Sequence, residues 1–196
     1  MSQKTIVYVS RITNLSDARY CAGMGVDMLG YVVDPGHEDY VSLSKYQEMV
    51  GWISGPGRVL EITSSAQDLH KLLSEYVPDT IHIPLDLVYQ YDLPELPLML
   101  SIPFQDWQTS LTRIQQLKRN VTHVIIYGFN NGTSPITFPS TPGIKILLSL
   151  EFDLGPLATM LQKTRADGFA LRGSREISPG LIDYETLSRV LEELEG

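Results

Sequence analysis

Polar side chains that could do chemistry stand at the ends of nearly all the apolar, strand-like runs in this sequence. They are Tyr8, Ser10, Arg11, Asp34, His37, Asp39, Glu61, His82, Ser101, Tyr127, Asn130, Ser149, Glu151, Arg172 and Ser174, and Gly173 adds a backbone N–H between the last two. Any one of them could simply mark the point where the chain meets water. As a set they predict one polar surface, if the runs form parallel strands whose carboxyl ends meet.

The segment Leu171-Arg172-Gly173-Ser174 has the composition of an anion site. A glycine lets backbone N–H groups approach an oxyanion, and an arginine can form paired hydrogen bonds with a phosphate. We therefore predict that Arg172, Gly173 and Ser174 bind phosphate. The alternative is a tight turn in which the arginine is simply solvated.

His82 ends another predicted strand, where an imidazole with a near-neutral pKa could act as a general acid or base. The alternative is a hydrogen-bonded structural histidine. His37, His70 and His123 form no metal-binding pattern with it, so we expect no metal and no cofactor. Cys21 is the only cysteine, which excludes an internal disulfide, and we interpret it as a small core residue.

Alternating strand and helix patterns place these residues. The predicted strands are residues 5–10, 27–33, 58–63, 80–83, 98–102, 122–127, 144–150 and 168–171. Helices are predicted at about 15–23 (capped by Asn14 or Ser16), 42–52, up to 76 (capped by Ser64-Ser65), 106–119 and 155–165, and after Asp183. Residues 85–97 leave room only for a short helix or turn, and a loop, 129–143, replaces one helix.

Eight such units predict a compact, single-domain (β/α)8 TIM barrel over residues 1–196, with some helices shortened or replaced by loop. The alternative α/β fold is an open, doubly wound sheet. If it bound a dinucleotide, such a sheet would have a glycine-rich turn after the first strand. Residues 10–14 contain no glycine, so the sequence favours the barrel.

Charge and hydropathy exclude some partners. The net charge of -8 and the lack of a lysine or arginine cluster argue against nucleic acid or an anionic membrane as a partner. No apolar run approaches the roughly 20 residues that a membrane helix needs, and the first four residues do not resemble a signal peptide. We expect a cytoplasmic protein that is a monomer or a homodimer.

Both ends of the chain resemble the phosphoribosylanthranilate isomerase family, (β/α)8 enzymes of tryptophan biosynthesis. The matching segments are Ile12-Thr13-Asn14-Leu15, Asp17-Ala18, Gly25-Val26-Asp27, Gly30-Tyr31-Val32-Val33, Pro35 and Tyr40-Val41-Ser42, followed near the end by Glu176, Pro179-Gly180 and Asp183. The middle of the chain resembles the family only in its pattern of elements.

The resemblance implies an Amadori rearrangement, in which a carboxylic acid protonates the ribose ring oxygen and a thiolate removes the C2 proton. The positions that would do this are substituted here. The catalytic cysteine falls on Ser10 and the acid on Tyr127, while a lysine falls on Tyr8. The arginine that holds the anthranilate carboxylate falls on Asp39, and a glutamine of the fourth strand falls on His82.

The glycine turns that bind phosphate in the family survive here only as Gly132, Thr133 and Ser149. Any remaining chemistry would use Ser10, Arg11, His82 and Tyr127. Because each positioned proton-transfer group contributes roughly 100- to 10,000-fold to a rate, we expect the isomerase activity to be lost or altered.

Three hypotheses about function follow from the resemblance. In the first, the chain is an isomerase-like barrel that still binds a small phosphorylated or anionic molecule. In the second, it is a non-catalytic pseudoenzyme that serves as a binding or assembly module, with its pocket filled by Tyr8, Tyr31 and Tyr127. In the third, it is a genuine isomerase with a rearranged acid/base pair.

Overall fold

Eight parallel strands close into a barrel in the order in which they occur in the chain. They are β1 (Ile6–Ser10), β2 (Met28–Val32), β3 (Gly57–Glu61), β4 (Thr80–Pro84), β5 (Leu98–Pro103), β6 (Val121–Tyr127), β7 (Lys145–Ser149) and β8 (Gly168–Arg172). The computed structural model describes residues 4–65, 68–129, 137–150, 157–178, 181–183 and 185–195. The (β/α)8 barrel is confirmed, and the open sheet is excluded because β1 pairs with β8.

Both faces of these strands are buried, as their nearly continuous apolar sequences require. On β1, Val7 and Val9 pack outward against the helices, whereas Tyr8 points into the barrel. A separate apolar layer fills the barrel interior: Tyr8, Met28, Val59, Met99, Ile125, Leu147 and Ala170. Because side chains alternate along a strand, residues two positions further on also point inward, towards the opening at the carboxyl ends. We call this opening the barrel mouth.

Six helices lie in the described part of the chain. They are α1 (Leu15–Gly23), α2 (Leu43–Gly51), α3 (Leu69–Tyr76), α4 (Trp107–Gln116), α5 (Leu157–Thr164) and α6 (Glu185–Glu195). Asn14, not Ser16, caps α1, because its side chain accepts a hydrogen bond from the backbone N–H of Asp17 at 2.9 Å. Gly25 follows this helix with a φ of 70°, in the left-handed region that favours glycine.

The predicted cap of the third helix was wrong. The helix begins at Leu69, and the side chain of Asp68 accepts a hydrogen bond from the backbone N–H of Lys71 at 3.1 Å. A carboxylate at this position also interacts favourably with the positive end of the helix dipole, which the hydroxyls of Ser64 and Ser65 do not.

Of two short segments outside the eight barrel strands and six helices, one was predicted from the sequence and the other was not. The predicted short helix or turn within 85–97 is a 3-10 helix, Leu85–Gln90. An antiparallel hairpin of β9 (Arg175–Ser178) and β10 (Leu181–Asp183) follows β8 and was not predicted. Residues 130–136 of the predicted loop lie outside the described residues, and the single domain over 1–196 stays a prediction.

The described residues contain neither a membrane-spanning helix nor a group of metal-binding side chains. None of the helices in the described ranges combines the length and apolar character needed to cross a bilayer. Over the same residues, no three histidine, cysteine or acidic side chains are grouped as metal ligands would be.

Candidate functional site

The barrel mouth is lined by polar side chains that stand two residues beyond the apolar interior layer. They are Ser10, Glu61, His82, Ser101, Tyr127, Ser149 and Arg172. On β4, which has no residue in that layer, the corresponding position follows Thr80. The strand register brings neighbours together: Ser10 pairs with Arg172, and Glu61 pairs with His82. Apolar interior and polar mouth therefore follow from one alternating pattern, and the strand-end residues converge as the sequence predicts.

Glu61 is the buried charge of this mouth, with only 4% of its surface exposed. Its carboxylate accepts a hydrogen bond from the backbone N–H of Arg11 at 2.7 Å and another from the Tyr8 hydroxyl. Gly30 on β2 leaves space for this pair, since a Cβ there would lie 2.1 Å from Oε1 of Glu61 and 2.2 Å from the Tyr8 hydroxyl oxygen. The glycine is thus required by its neighbours and not by its own backbone conformation.

The backbone after β1 turns sharply at Arg11, where its N–H meets Glu61. Arg11, the first residue after β1, has a φ of 57°, a left-handed conformation that is strained for a residue with a side chain. This conformation accompanies the backbone hydrogen bond to Glu61 and also allows the guanidinium to reach Asp39. Arg11 therefore contacts Glu61 through its backbone N–H and Asp39 through its guanidinium.

His82 completes the buried cluster. Its Nδ1 lies 3.1 Å from the Tyr8 hydroxyl oxygen and 3.7 Å from Oε2 of Glu61. The tyrosine has one proton, so when it donates to the Glu61 carboxylate it accepts from a protonated Nδ1. Nε2 of His82 then has a free electron pair, and this atom is buried without a hydrogen-bond partner among the described residues. We call Tyr8, Glu61 and His82 the buried triad.

Burial dominates the proton affinities of the buried triad. It raises the pKa of the Glu61 carboxyl, although the hydrogen bond from Arg11 opposes this. Burial, and then the nearby charge of Glu61, raises the pKa of Tyr8 well above its usual range. Burial, and then the charge of Arg11, lowers the pKa of His82 to about 4. His82 is therefore neutral near pH 7 and acts as a hydrogen-bonding group.

Ion pairs line the other side of the mouth. Oδ2 of Asp39 lies 2.7 Å from Nη2 of Arg172 and 3.4 Å from Nη1 of Arg11. Nη2 of Arg172 also lies 3.0 Å from Oε1 of Glu38. We call Arg11, Asp39 and Arg172 the ion-pair cluster. The two guanidiniums that could bind an anion are thus matched by carboxylates of the chain itself.

The backbone donors of the predicted phosphate site are also used internally. The N–H of Gly173 donates to the Ser10 carbonyl at 2.8 Å. The N–H of Ser174 donates to Oδ2 of Asp17 at 2.9 Å, and Asp17 is completely buried. A carboxylate of α1 therefore occupies the position at which a phosphate was predicted to meet Ser174.

The two substituted proton-transfer positions lie at the ends of different strands, Ser10 on β1 and Tyr127 on β6. The Ser10 hydroxyl donates to the Leu171 carbonyl at 3.0 Å, its single hydrogen bond within the described part of the chain. Tyr127 is 40% exposed and lines a cavity of about 240 Å³ at the ends of β4, β5 and β6, together with Ser101, Asp106 and Arg113.

Three tyrosines were predicted to fill the pocket of a pseudoenzyme, and they occupy three different places. Tyr8 fills the barrel interior. Tyr31 lies on the outer face of β2, in edge-to-face contact with Tyr46 at a centroid distance of 5.0 Å. Because Tyr127 lines an open cavity, only Tyr8 closes the barrel as the prediction required.

The remaining predicted phosphate residues are described only in part. Ser149 ends β7 and points to the mouth, whereas Gly132 and Thr133 lie outside the described residues. The sequence placed Glu61 at a strand end without a predicted role, and Asp17 was predicted only as part of the segment that resembles the isomerase family. The alternation of Val59 and Glu61 was the available signal for Glu61, and the position of Asp17 beside Ala18 and Cys21 on one helix face was the signal for its burial.

Solved structures share this architecture from end to end. N-(5'-phosphoribosyl)anthranilate isomerase from Pyrococcus furiosus is 12% identical, with 97% of this chain and 98% of that chain covered, and has a TM-score of 0.69. Phosphoribosyl anthranilate isomerase from Thermotoga maritima is 15% identical, with 98% and 99% covered and a TM-score of 0.68. The chain has the fold of the phosphoribosylanthranilate isomerases.

This isomerase fold is shared more widely. Phospho-2-dehydro-3-deoxyheptonate aldolase from Thermotoga maritima is 14% identical and has a TM-score of 0.60, covering 98% of this chain and 68% of its own. A comparison with protein-family models finds no match, and a comparison with curated proteins finds none either. The likeness therefore establishes the fold, and the function has to be argued from the mouth.

Proposed function

We propose that this chain is a small-molecule-binding barrel with the isomerase fold that does not catalyse the isomerisation of phosphoribosylanthranilate. The observation that carries the proposal is the engagement of the Ser10 hydroxyl with the Leu171 carbonyl. A serine replaces a catalytic thiol effectively only when a neighbouring base activates it, and here the hydroxyl proton is directed to a carbonyl oxygen.

The acid position supports the same conclusion. Tyr127 is a phenol where the resemblance places a carboxylic acid, and a phenol with an ordinary pKa of about 10 is a weak proton donor near neutrality. The residue that would hold the anthranilate carboxylate is Asp39, whose negative charge would repel it. Three roles that the reaction needs are therefore filled by residues of unsuitable chemistry.

Complementation of a tryptophan auxotroph that lacks the isomerase tests this proposal. We expect no growth, whereas the Thermotoga maritima enzyme expressed from the same vector should restore it. A direct assay of the purified protein with phosphoribosylanthranilate should show a rate at least 10,000-fold below that of the same control, because two proton-transfer groups are replaced. Robust growth or a near-normal rate would overturn the proposal.

A second candidate is a proton-transfer enzyme with a different acid/base pair, which the buried triad favours. Nε2 of His82 is a neutral acceptor inside the mouth, and its partners Tyr8 and Glu61 hold the ring in one orientation. If the direct assay shows turnover, the variant His82→Gln should abolish it while Ser10→Ala should not. The reverse result would return the chemistry to the position of the family thiol.

Cytoplasmic location, the monomer or homodimer, and the absence of nucleic acid and membrane partners stay predictions from the sequence. Binding of a phosphorylated or anionic molecule also stays a prediction. At Arg172 an incoming anion would have to compete with Asp39, which already forms an ion pair with the guanidinium.

A further inference from the structure

Two arginines from different strands converge on one carboxylate oxygen at the barrel mouth. Arg172 is the last residue of β8, and Arg11 directly follows β1, which pairs with β8. Both guanidiniums approach Oδ2 of Asp39, at 2.7 Å and 3.4 Å. Two cations placed by neighbouring strands and aimed at one point form the arrangement with which proteins bind carboxylates and phosphates.

The three members of the ion-pair cluster are held differently. Arg172 is the last residue of β8 and Arg11 directly follows β1, and these two strands are hydrogen-bonded to each other. Asp39 lies between β2 and α2, in a connecting segment where residues 34–39 contain only turns and bends. In a barrel, such connections carry ligand-binding groups and can change conformation while the strands stay in place.

Exposure shows which group an external molecule would meet. The side chains of Arg11 and Arg172 are 35% and 34% exposed, whereas that of Asp39 is 15% exposed. The side chains of both arginines are therefore partly open to solvent while their guanidiniums contact Asp39. The strained backbone of Arg11, with its φ of 57°, holds one of the two cations in this place.

We propose that Arg11 and Arg172 form a binding site for one carboxylate or phosphate group, and that Asp39 occupies this site as an internal substitute until such an anion displaces it. This inference rests on the proposed function, because it names the class of molecule that the mouth binds. Asp39 is tethered beside the arginines, so its high effective concentration makes external anions weak competitors in the unmodified protein. Removal of its charge leaves two cations directed at the same point.

Phosphate binding to the variant Asp39→Asn tests the proposal. By calorimetric titration with inorganic phosphate at constant ionic strength, we expect this variant to bind at least tenfold more tightly than the unmodified protein. Its melting temperature should rise with phosphate and not with chloride, because a ligand of the folded state raises apparent stability. The double variant D39N/R172Q should lose the gain. Acetate in place of phosphate shows whether the site prefers a carboxylate or a phosphate.

Glu38 provides the matched control. It contacts the same arginine at 3.0 Å, but its side chain is 63% exposed, whereas that of Asp39 is 15% exposed and contacts both arginines. Glu38→Gln removes an identical charge from the same segment, yet Asp39 remains between the arginines. We therefore expect phosphate affinity within twofold of that of the unmodified protein.

Three results would overturn the inference. Equal phosphate affinity in the D39N variant and the unmodified protein would show that Asp39 does not close the site. Equal gains in phosphate affinity in D39N and E38Q would show that the gain comes only from the change in net charge. If D39N fails to fold, Asp39→Ala is the second variant, and failure of both to fold contradicts a site that opens when Asp39 leaves. Isomerase activity in the unmodified protein would overturn the proposed function and leave these titrations unaffected.

Discussion

The two halves of the barrel mouth use the same residue, Arg11, in opposite ways. In the buried triad its backbone N–H donates to Glu61, a carboxylate that is almost inaccessible to water. In the ion-pair cluster its guanidinium contacts Asp39, which shares its charge with Arg172 at the surface of the mouth. The first half is held by buried hydrogen bonds and the second by partly solvated charges.

Because of this difference, we expect the buried triad to affect mainly the stability of the fold and the ion-pair cluster to affect mainly ligand binding. A buried carboxylate that loses a partner leaves an unsatisfied group in the core, which costs roughly 1–3 kcal/mol or more. A partly solvated ion pair contributes about 0–1 kcal/mol, so its members can exchange partners at little cost. We therefore expect the buried triad to resist substitution and the ion-pair cluster to tolerate it.

The largest expected effect is at Gly30. In the variant Gly30→Ala, the added Cβ would meet Oε1 of Glu61 and the Tyr8 hydroxyl, both of which are buried and cannot move into solvent. Overpacking of a core costs roughly 1–3 kcal/mol, and a displaced buried hydrogen bond costs a similar amount. We expect a loss of about 4 kcal/mol in the free energy of unfolding, measured by urea denaturation.

Gly51 is the matched control for this variant. It ends α2, and a Cβ built on it meets no atom within 4 Å. Gly51→Ala should not destabilise the protein, and it should raise the free energy of unfolding by about 0.4–1 kcal/mol because alanine restricts the unfolded chain. If Gly30→Ala behaved like Gly51→Ala, the packing of Tyr8 and Glu61 in front of β2 would be incorrect.

The next effect is the response of stability to pH. His82 is neutral in the folded protein with a pKa lowered to about 4, whereas an unfolded histidine titrates near 6.5. Between these values the unfolded chain binds more protons, so stability falls as pH falls from 6.5 to about 4. At about 1.4 kcal/mol per pH unit, this loss is on the order of 3 kcal/mol. The free-energy difference between the unmodified protein and His82→Gln should report it.

Glu61 changes the pH dependence of stability in the direction opposite to that of His82. Its pKa is raised above 4.5 by burial, so its share of the stability falls as pH rises from 4.5 through the raised value. Glu61→Gln removes this opposing effect and should steepen the loss of stability towards low pH. His70→Gln, at an exposed position, should change the free energy of unfolding at pH 7 by less than about 0.5 kcal/mol. A profile for His82→Gln that parallels that of the unmodified protein would contradict the burial of His82.

The fold could be predicted from local patterns because each strand, helix and turn is specified by neighbouring residues. The apolar runs with turn residues between them predicted all eight strands, and Asn14, one of the two predicted candidates, caps α1. The convergence of the strand-end residues follows from barrel closure, so the members of the mouth were predictable as well. The short hairpin after β8 was missed, since its strands of three and four residues carry too little pattern.

The pairing within the mouth could not be predicted, because it depends on contacts between distant parts of the chain. Asp17 and Ser174 are separated by 157 positions, and Asp39 and Arg172 by 133. Composition identified Arg172 as a cation that could bind phosphate. Nothing in the sequence near it indicated that the chain supplies its own carboxylate to that cation.

The smallest expected effect separates the two roles of Arg11, and it compares the variants Arg11→Gly and Arg11→Ala. Both remove the guanidinium from the ion-pair cluster and keep the backbone N–H that Glu61 accepts. Glycine adopts a φ of 57° without strain, whereas alanine does not. Since a strained non-glycine residue costs roughly 1–3 kcal/mol, we expect Arg11→Gly to be more stable than Arg11→Ala by about 1 kcal/mol in urea denaturation.

The result decides which half of the mouth sets the backbone at Arg11. If the bond to Glu61 fixes the conformation, the glycine variant keeps it and is the more stable of the two. If instead the guanidinium pulls the backbone into this conformation through Asp39, its loss relaxes the turn and the glycine loses its advantage, because its flexible unfolded chain then costs stability. Arg11→Ala would in that case equal or exceed Arg11→Gly, and the ion-pair cluster would be the element that shapes the mouth.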